Sequence, residues 1–91
     1  MSVIVRLPSQ LRVLVGGAGE VPVEATTVRE AIVGVDAQYP GIAVRVRDDK
    51  GALRRFVNVF VADEDVRFLD GLDTVLAPGV TVSLVPAVAG G

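Results

Sequence analysis

A single helical repeat of apolar residues lies within a chain whose other periodic stretches alternate as β-strands do, and this arrangement limits the possible folds most strongly. Five apolar residues follow one another at helical spacing: Val28, Ala31, Ile32, Val35 and Tyr39. Their side chains would share one side of a helix. Thr27 followed by Glu30 is a candidate capping box, and the proline of "YPG" ends the helix because a residue before proline avoids the α conformation.

Gly34 lies inside this predicted helix, where a glycine costs about 1 kcal/mol relative to alanine. Two interpretations of Gly34 are open. It allows the helix to pack closely on a sheet, or it is a tolerated glycine on the surface.

The strands flank the helix in sequence. "SVIVRL" alternates before Pro8 interrupts the pairing. Two β-branched stretches follow at positions 11–15 and 20–25, separated by "GGAG", a glycine-rich turn of the kind that joins antiparallel strands. We expect the first hairpin there.

After the helix the sequence predicts three further strands. Residues 41–54 form a polar connection with a short turn of helix, and residues 55–68 form a strand, an acidic turn at Asp63, Glu64 and Asp65, and a short return strand. An irregular crossover at 69–79 leads to the last strand. This order of elements is that of the β-grasp fold, an α+β arrangement of a mixed four- or five-stranded sheet on one helix.

Composition separates the two large groups of β-grasp proteins. Ferredoxins need cysteine ligands, whereas ubiquitin-like proteins need only a tail. The chain has no cysteine and no histidine, which removes thiolate metal sites, cysteine nucleophiles and the commonest general base. The sequence therefore favours the ubiquitin-like group, and independent catalysis is the weakest hypothesis.

Charge and length exclude other classes. Nine Lys and Arg against eleven Asp and Glu give a net charge of -2, and the scattered cations argue against a nucleic-acid partner. No apolar run of about 18 residues and no leader pattern is present, so we expect a single cytoplasmic domain without a membrane partner.

The C-terminal half resembles a known family. "RFVNVFVADEDVRF", "LDGLDTVLAPG" and "VSLVPAVAGG" together resemble the prokaryotic ubiquitin-like sulfur carriers, the ThiS and MoaD family, and within it the CysO branch that serves cysteine synthesis. In the first half the resemblance is carried by the order of elements and by "TVREAI" ahead of "YPGI".

The resemblance implies a β-grasp domain at residues 1–86 and a flexible tail at residues 87–91. In this family the carboxylate of the last glycine, here Gly91, is adenylated by an E1-like enzyme with MgATP and converted to a thiocarboxylate, while the carrier itself holds no cofactor. Val88, Ala89 and Gly90 would be the recognised tail, since glycine lets backbone approach an active site closely. Pro86 would release the tail from the sheet.

The resemblance to the CysO branch also implies partners. The thiocarboxylate would serve a pyridoxal-phosphate-dependent cysteine synthase, and a JAMM-type metalloprotease would release cysteine from the tail. The free carrier is expected to be a monomer, because an obligate dimer would hide its docking face.

Strand alternation predicts where that docking face lies. Six residues are expected to pack under the helix: Val57, Val59, Val61, Val80, Val82 and Leu84. Phe60 and Val85 would then lie at the centre of an outward patch, with Ile4 and Phe56 beside them, since the family docks through this side. The alternative is that the connection at 41–54 covers Phe56 or Phe60.

Two clusters of charged residues are better explained by solvation than by a site. Carboxylates at adjacent positions of a tight turn point in different directions, so Asp63, Glu64 and Asp65 are not expected to bind a metal. A basic edge that meets an acidic partner remains a weaker alternative for four loop arginines: Arg45, Arg47, Arg54 and Arg55.

Three other functions stay open at this point. A carrier of the ThiS or MoaD type would serve thiamine or molybdopterin synthesis with the same carboxyl chemistry. A ubiquitin-like modifier would acylate lysines, and Lys50 is the only lysine in this chain. A non-covalent binding module would not need Gly91.

Overall fold

Five strands and three helices make up the part of the chain that the computed structural model describes, residues 2–54 and 57–86. The strands are β1 (Ser2–Arg6), β2 (Glu20–Glu24), β3 (Val57–Val61), β4 (Glu64–Asp65) and β5 (Thr81–Pro86). The helices are α1 (Ser9–Arg12), α2 (Val28–Gln38) and α3 (Ile42–Val46). None of the helices in these residues is long and apolar enough to cross a membrane.

The strands form one mixed sheet in the order β2-β1-β5-β3-β4. The central pair β1 and β5 is parallel, and the other neighbouring strands are antiparallel. Helix α2 packs on one side of this sheet, against β2 and β1. The predicted β-grasp fold is therefore confirmed.

The main helix begins and ends where the sequence predicts. The N–H of Glu30 donates to Oγ1 of Thr27 (3.2 Å), while Oε1 of Glu30 accepts from the N–H and the hydroxyl of Thr26 (2.8 and 2.7 Å). The carboxylate of the capping box thus reaches one residue further back than the pattern implies. Of the five predicted apolar positions, the first four are buried and Tyr39 is partly buried.

The predicted strand at positions 11–15 is wrong. These residues continue from α1 into a 3₁₀ turn, Val13–Val15. A strand would place Val13 and Val15 on the same face, whereas the helical turn buries Val15 and leaves Val13 78% exposed. The N–H of Gly17 donates to the carbonyl of Arg12 (2.7 Å), and left-handed Gly16 (φ 68°) ends the turn. The first hairpin accordingly pairs β1 with β2.

Gly34 has a packing role, as the first of its two interpretations requires. A Cβ atom placed on Gly34 would lie 3.1 Å from Cβ of Val23 on β2, closer than carbon atoms normally pack. Glycine therefore lets α2 approach the sheet edge.

A side-chain cap connects α2 to α3. Oδ1 of Asp36 accepts hydrogen bonds from the N–H groups of Ala43 and Gly41, each at 3.0 Å. These bonds, chiefly the one from Ala43, stabilise the carboxylate and lower the pKa of Asp36. The short helix predicted for this connection is confirmed, and Ile42 and Val46 of α3 belong to the buried core.

The inward alternation of β3 and β5 is confirmed. Val57, Val59, Val82 and Leu84 are buried, while Val61 and Val80 are partly buried against the same core. A short return strand is present, but not where the sequence predicts it: the turn is Ala62 and Asp63, and the residues after the predicted turn, Val66–Phe68, form a 3₁₀ turn. Glu64 and Asp65 themselves form β4, because Val61 pairs with Glu64 and leaves a two-residue loop.

Candidate functional site

The side of the sheet that faces away from α2 is defined by the strand register. Its outward positions come from all five strands: Ser2, Ile4, Arg6, Glu20, Pro22, Glu24, Asn58, Phe60, Asp65, Thr81, Ser83 and Val85. We call this set the outer face. The three described residues of the predicted docking patch, Ile4, Phe60 and Val85, all belong to it.

Phe60 and Val85 are diagonal neighbours on adjacent strands. Phe60 lies opposite Ser83, and Val85 lies opposite Asn58, so the two apolar side chains are within mutual reach. Val85 is 41% exposed, and Phe60 is partly buried. The register thus brings together the two residues predicted to lie at the centre of the patch, and their role in docking remains a prediction.

Ile4 does not join these two residues. It lies between Pro22 of β2 and Thr81 of β5. Thr81 lies opposite Ile4 and Ser83 lies opposite Phe60, so polar residues of β5 separate Ile4 from the aromatic ring. The outer face is therefore not one continuous apolar patch.

An arginine that the sequence did not single out contacts the outer face at Asn58. The guanidinium of Arg67 donates to Oδ1 of Asn58 (2.8 Å), the residue opposite Val85. It also donates to the carbonyls of Arg54 and Val57, at 3.0 and 2.9 Å. Arg67 places a cation at the edge of the outer face.

Two grooves flank Val85 at the end of the sheet where β5 stops. Both are lined by Pro8, Leu84 and Val85. The first also has four residues from the end of β1, α1 and β5: Arg6, Leu7, Arg12 and Ser83. The second is more apolar and also has Gln10, Leu11, Arg45 and Val57. We call them the arginine groove and the apolar groove.

The strand predicted at positions 11–15 gives no reason to expect residues of α1 in these grooves. A signal was present in the sequence. Leu11, Leu14 and Val15 follow helical spacing after Pro8, a residue that is common at the start of helices. Only the helical assignment carries Arg12 and Leu11 to the end of β5.

Five predicted site residues lie outside the described residues: Phe56, Val88, Ala89, Gly90 and Gly91. The described part of the chain ends two residues before Val88, because β5 ends at Pro86, which pairs with Val57 of β3. Gly91 as the reacting group therefore stays a prediction.

The charged clusters contain no metal site in the described part of the chain, where no group of three potential ligands could hold an ion. Oδ1 of Asp65 instead accepts from the N–H of Arg67 at 2.8 Å. Arg54 donates through Nε to the carbonyl of Val44 at 2.9 Å. Arg47 and Arg54 share a depression with Asp48 and Asp49, so the loop is of mixed charge around these two arginines. Arg55 lies outside the described residues.

Comparison with known proteins gives a consistent result. The model of the ThiS family matches residues 5–91. The sulfur carrier protein CysO of Mycobacterium tuberculosis (strain ATCC 25618 / H37Rv) is 45% identical over 93 aligned positions, which cover 100% of both chains.

Two further comparisons extend this result. A chain in the crystal structure of the Amycolatopsis orientalis BexX/CysO complex superposes with a TM-score of 0.91 at 43% identity, covering 98% of this chain and 99% of that one. Small archaeal modifier protein 3 of Haloferax volcanii is 40% identical over 65 residues, 71% of this chain and 70% of the relative.

Proposed function

This chain belongs to the ThiS family and is a sulfur carrier of the CysO type, and we propose that it carries sulfur as a thiocarboxylate on Gly91. It is a carrier protein and not an enzyme. The observation that supports this proposal is the position of β5: the last strand runs beside β1 and β3 and ends at Pro86, five positions before Gly91.

The chemistry requires activation because a carboxylate is a poor electrophile. An E1-like enzyme would use MgATP to form an acyl adenylate at Gly91 with release of pyrophosphate. Hydrosulfide, or an equivalent sulfur donor, would then attack the acyl carbon, the bond to AMP would break, and AMP would leave. The carrier contributes the reacting carboxyl group and a tail without bulky side chains, which suits entry into a partner's active site.

We place the product in cysteine synthesis, on the strength of the 45% identity to CysO. A pyridoxal-phosphate-dependent cysteine synthase would accept the sulfur onto an activated serine, and a JAMM-type metalloprotease would release cysteine from the tail. A thiocarboxylate suits this step because its sulfur is anionic near neutral pH and strongly nucleophilic.

The test uses the absence of cysteine from the chain. The protein is incubated with an E1-like enzyme, MgATP and a sulfide source, treated with iodoacetamide, and measured by intact mass and peptide mapping. We expect one alkylated species with the label on the C-terminal peptide. A chain lacking Gly90 and Gly91, and a reaction without ATP, are the controls. An unlabelled wild-type chain, with an enzyme that activates another carrier of this type, would overturn the proposal.

A second candidate function is supported by the likeness to small archaeal modifier protein 3. As a modifier, the chain would acylate lysines of other proteins through the same activated Gly91. Tail-dependent adducts that survive reducing agent would support this function. Lys50→Arg removes the only lysine of the chain, so adducts that persist in this variant are not chains built on a lysine of this protein.

A further inference from the structure

The end of the sheet from which residues 87–91 continue carries an excess of positive charge. Arg6 and Arg12 line the arginine groove, and Arg45 lines the apolar groove. Among residues 2–54 and 57–86, neither lining includes an Asp or a Glu. This is unexpected in a chain whose net charge is -2.

Two of these three arginines form no ion pair among the residues that the structure describes. Arg6 lies 3.6 Å from Glu20 in an exposed pair. Arg12 uses Nε to donate to the carbonyl of Leu7 at 2.9 Å. Neither Arg12 nor Arg45 has a carboxylate within ion-pair distance among the described residues.

Several acidic residues lie at the opposite end of the sheet. Because β3 runs antiparallel to β5, Asp63 and Glu64 at the end of β3 are far from the end of β5. Glu30 lies in the first turn of α2. This helix follows the end of β2, and that end of β2 pairs with Ser2 at the start of β1. The end of the sheet near Val85 keeps Glu20 beside Arg6, but Glu30, Asp63 and Glu64 lie at the other end, and this partial separation of charge orients a protein as it approaches a charged partner.

The apolar groove adds a concave apolar surface to this positively charged end of the sheet. Leu11, Val57 and Val85 contribute its apolar walls, Arg45 is its only charged described residue, and Val85 is 41% exposed. A groove of this kind fits one apolar side chain with a carboxylate beside it. The surface that would match both grooves is acidic, with an apolar side chain at its centre.

We propose that the two grooves around Val85 dock an acidic surface of the enzyme that activates Gly91, with an apolar side chain in the apolar groove and carboxylates on Arg12 and Arg45. This inference rests on the proposed function for the identity of the partner. Its geometry suits that function, because five residues separate Pro86 from the chain end and span at most about 17 Å. An enzyme that binds beside Pro86 limits the distance between its docking surface and Gly91.

The experiment measures binding of the full-length protein to an E1-like enzyme by calorimetry without ATP, at low and high salt. Arg45→Gln is the first variant, since the side chain of Arg45 makes no hydrogen bond among the described residues. Arg12→Gln and the double variant follow. Lys50→Gln is the matched control, because it removes the same charge from an exposed residue outside both grooves.

We expect Arg45→Gln to weaken binding roughly fivefold and the double variant on the order of tenfold or more, whereas Lys50→Gln changes it less than about twofold. The salt dependence should decrease in the double variant, because fewer charge pairs remain to be screened. Equal affinities for the wild type, the double variant and Lys50→Gln would overturn the inference.

The labelling assay for the proposed function, run in parallel, separates the two failures. A labelled wild type whose arginine variants bind normally contradicts the docking site alone. Arginine-dependent binding without labelling contradicts the thiocarboxylate chemistry alone. Absence of both binding and labelling contradicts both.

The chain's own C-terminal carboxylate is the competing occupant of the grooves. The tail has one terminal carboxylate, whereas two arginines, Arg12 and Arg45, form no ion pair among the described residues. Removal of Gly90 and Gly91 should leave the NMR signal of the Arg45 guanidinium in the free protein unchanged. A shift on this truncation would show that the tail occupies the apolar groove, and would overturn docking of a partner there.

Discussion

The guanidinium of Arg67 donates a hydrogen bond to Oδ1 of Asn58 at 2.8 Å, and Asn58 lies directly opposite Val85 on β5. The same guanidinium donates to the carbonyls of Val57 and Arg54. Val57 pairs in turn with Pro86. One side chain from the 3₁₀ turn after β4 therefore holds the start of β3 at the point where β5 ends.

Arg67→Met should destabilise the fold by about 1 to 3 kcal/mol, because three acceptors lose a charged donor and one of them, the carbonyl of Val57, is partly buried. Urea denaturation measures the change. Arg29→Met is the control, since Arg29 makes only an exposed contact of 3.1 Å with Asp73, and we expect a loss below about 1 kcal/mol. Equal losses in the two variants would contradict the role assigned to Arg67.

Gly34→Ala should destabilise the protein, although alanine is the better helix former by about 1 kcal/mol. The added Cβ would lie 3.1 Å from Cβ of Val23, so α2 or β2 must move. A double-mutant cycle with Val23→Gly tests this cause, because only glycine removes the Cβ that the new alanine would contact. In the Val23→Gly background, Gly34→Ala should become neutral or stabilising. Independent, additive effects would remove the contact as the explanation.

Asp36 should make the folded state more sensitive to acid. Its pKa is lowered in the folded protein by the N–H groups of Ala43 and Gly41. The resulting stability is therefore fully present above the ordinary pKa of an aspartate, and it is lost as the pH falls through the lower pKa of the folded state. Asp36→Asn keeps an oxygen acceptor and removes the titration.

The free energy of unfolding of the wild type and Asp36→Asn, followed from neutral to acidic pH, tests this prediction. The advantage of the wild type should be greatest at neutral pH and should disappear in acid. A difference that stays constant with pH would show that the carboxylate charge at Asp36 contributes nothing to stability.

Phe60→Ala should slow adenylation of Gly91 with little loss of stability, because Phe60 lies on the outer face and outside the buried core. Steady-state kinetics with the E1-like enzyme should show a raised KM for the carrier. Val33→Ala is the matched control, since Val33 is 49% exposed on α2, on the other side of the sheet. Unchanged kinetics for Phe60→Ala would exclude Phe60 from the docking surface.

The two errors about local structure have the same physical origin. Residues 11–15 combine β-branched side chains with helical spacing, and local preference does not choose between the two. The choice depends on burial: the helical turn packs Leu11, Leu14 and Val15 against the core. Glu64 and Asp65 likewise form a strand because they pair with the edge of β3. Neither residue type favours strands by itself.

The sequence by itself determined α2, strands β1, β2, β3 and β5, and the inward residues of β3 and β5, because periodicity and caps act between residues that are close in the chain. The sequence also shows that the chain has no cysteine and no histidine, which fits the proposal that the terminal carboxylate is the reacting group.

Only the tertiary structure decided which side chains surround the end of β5. The parallel pairing of β1 with β5 brings Arg6 beside Ser83, and the turn through α1 then carries Pro8 and Arg12 to Val85. These residues are more than seventy positions apart in sequence. Their proximity depends on strand pairing across the whole chain, which no local pattern of residues specifies.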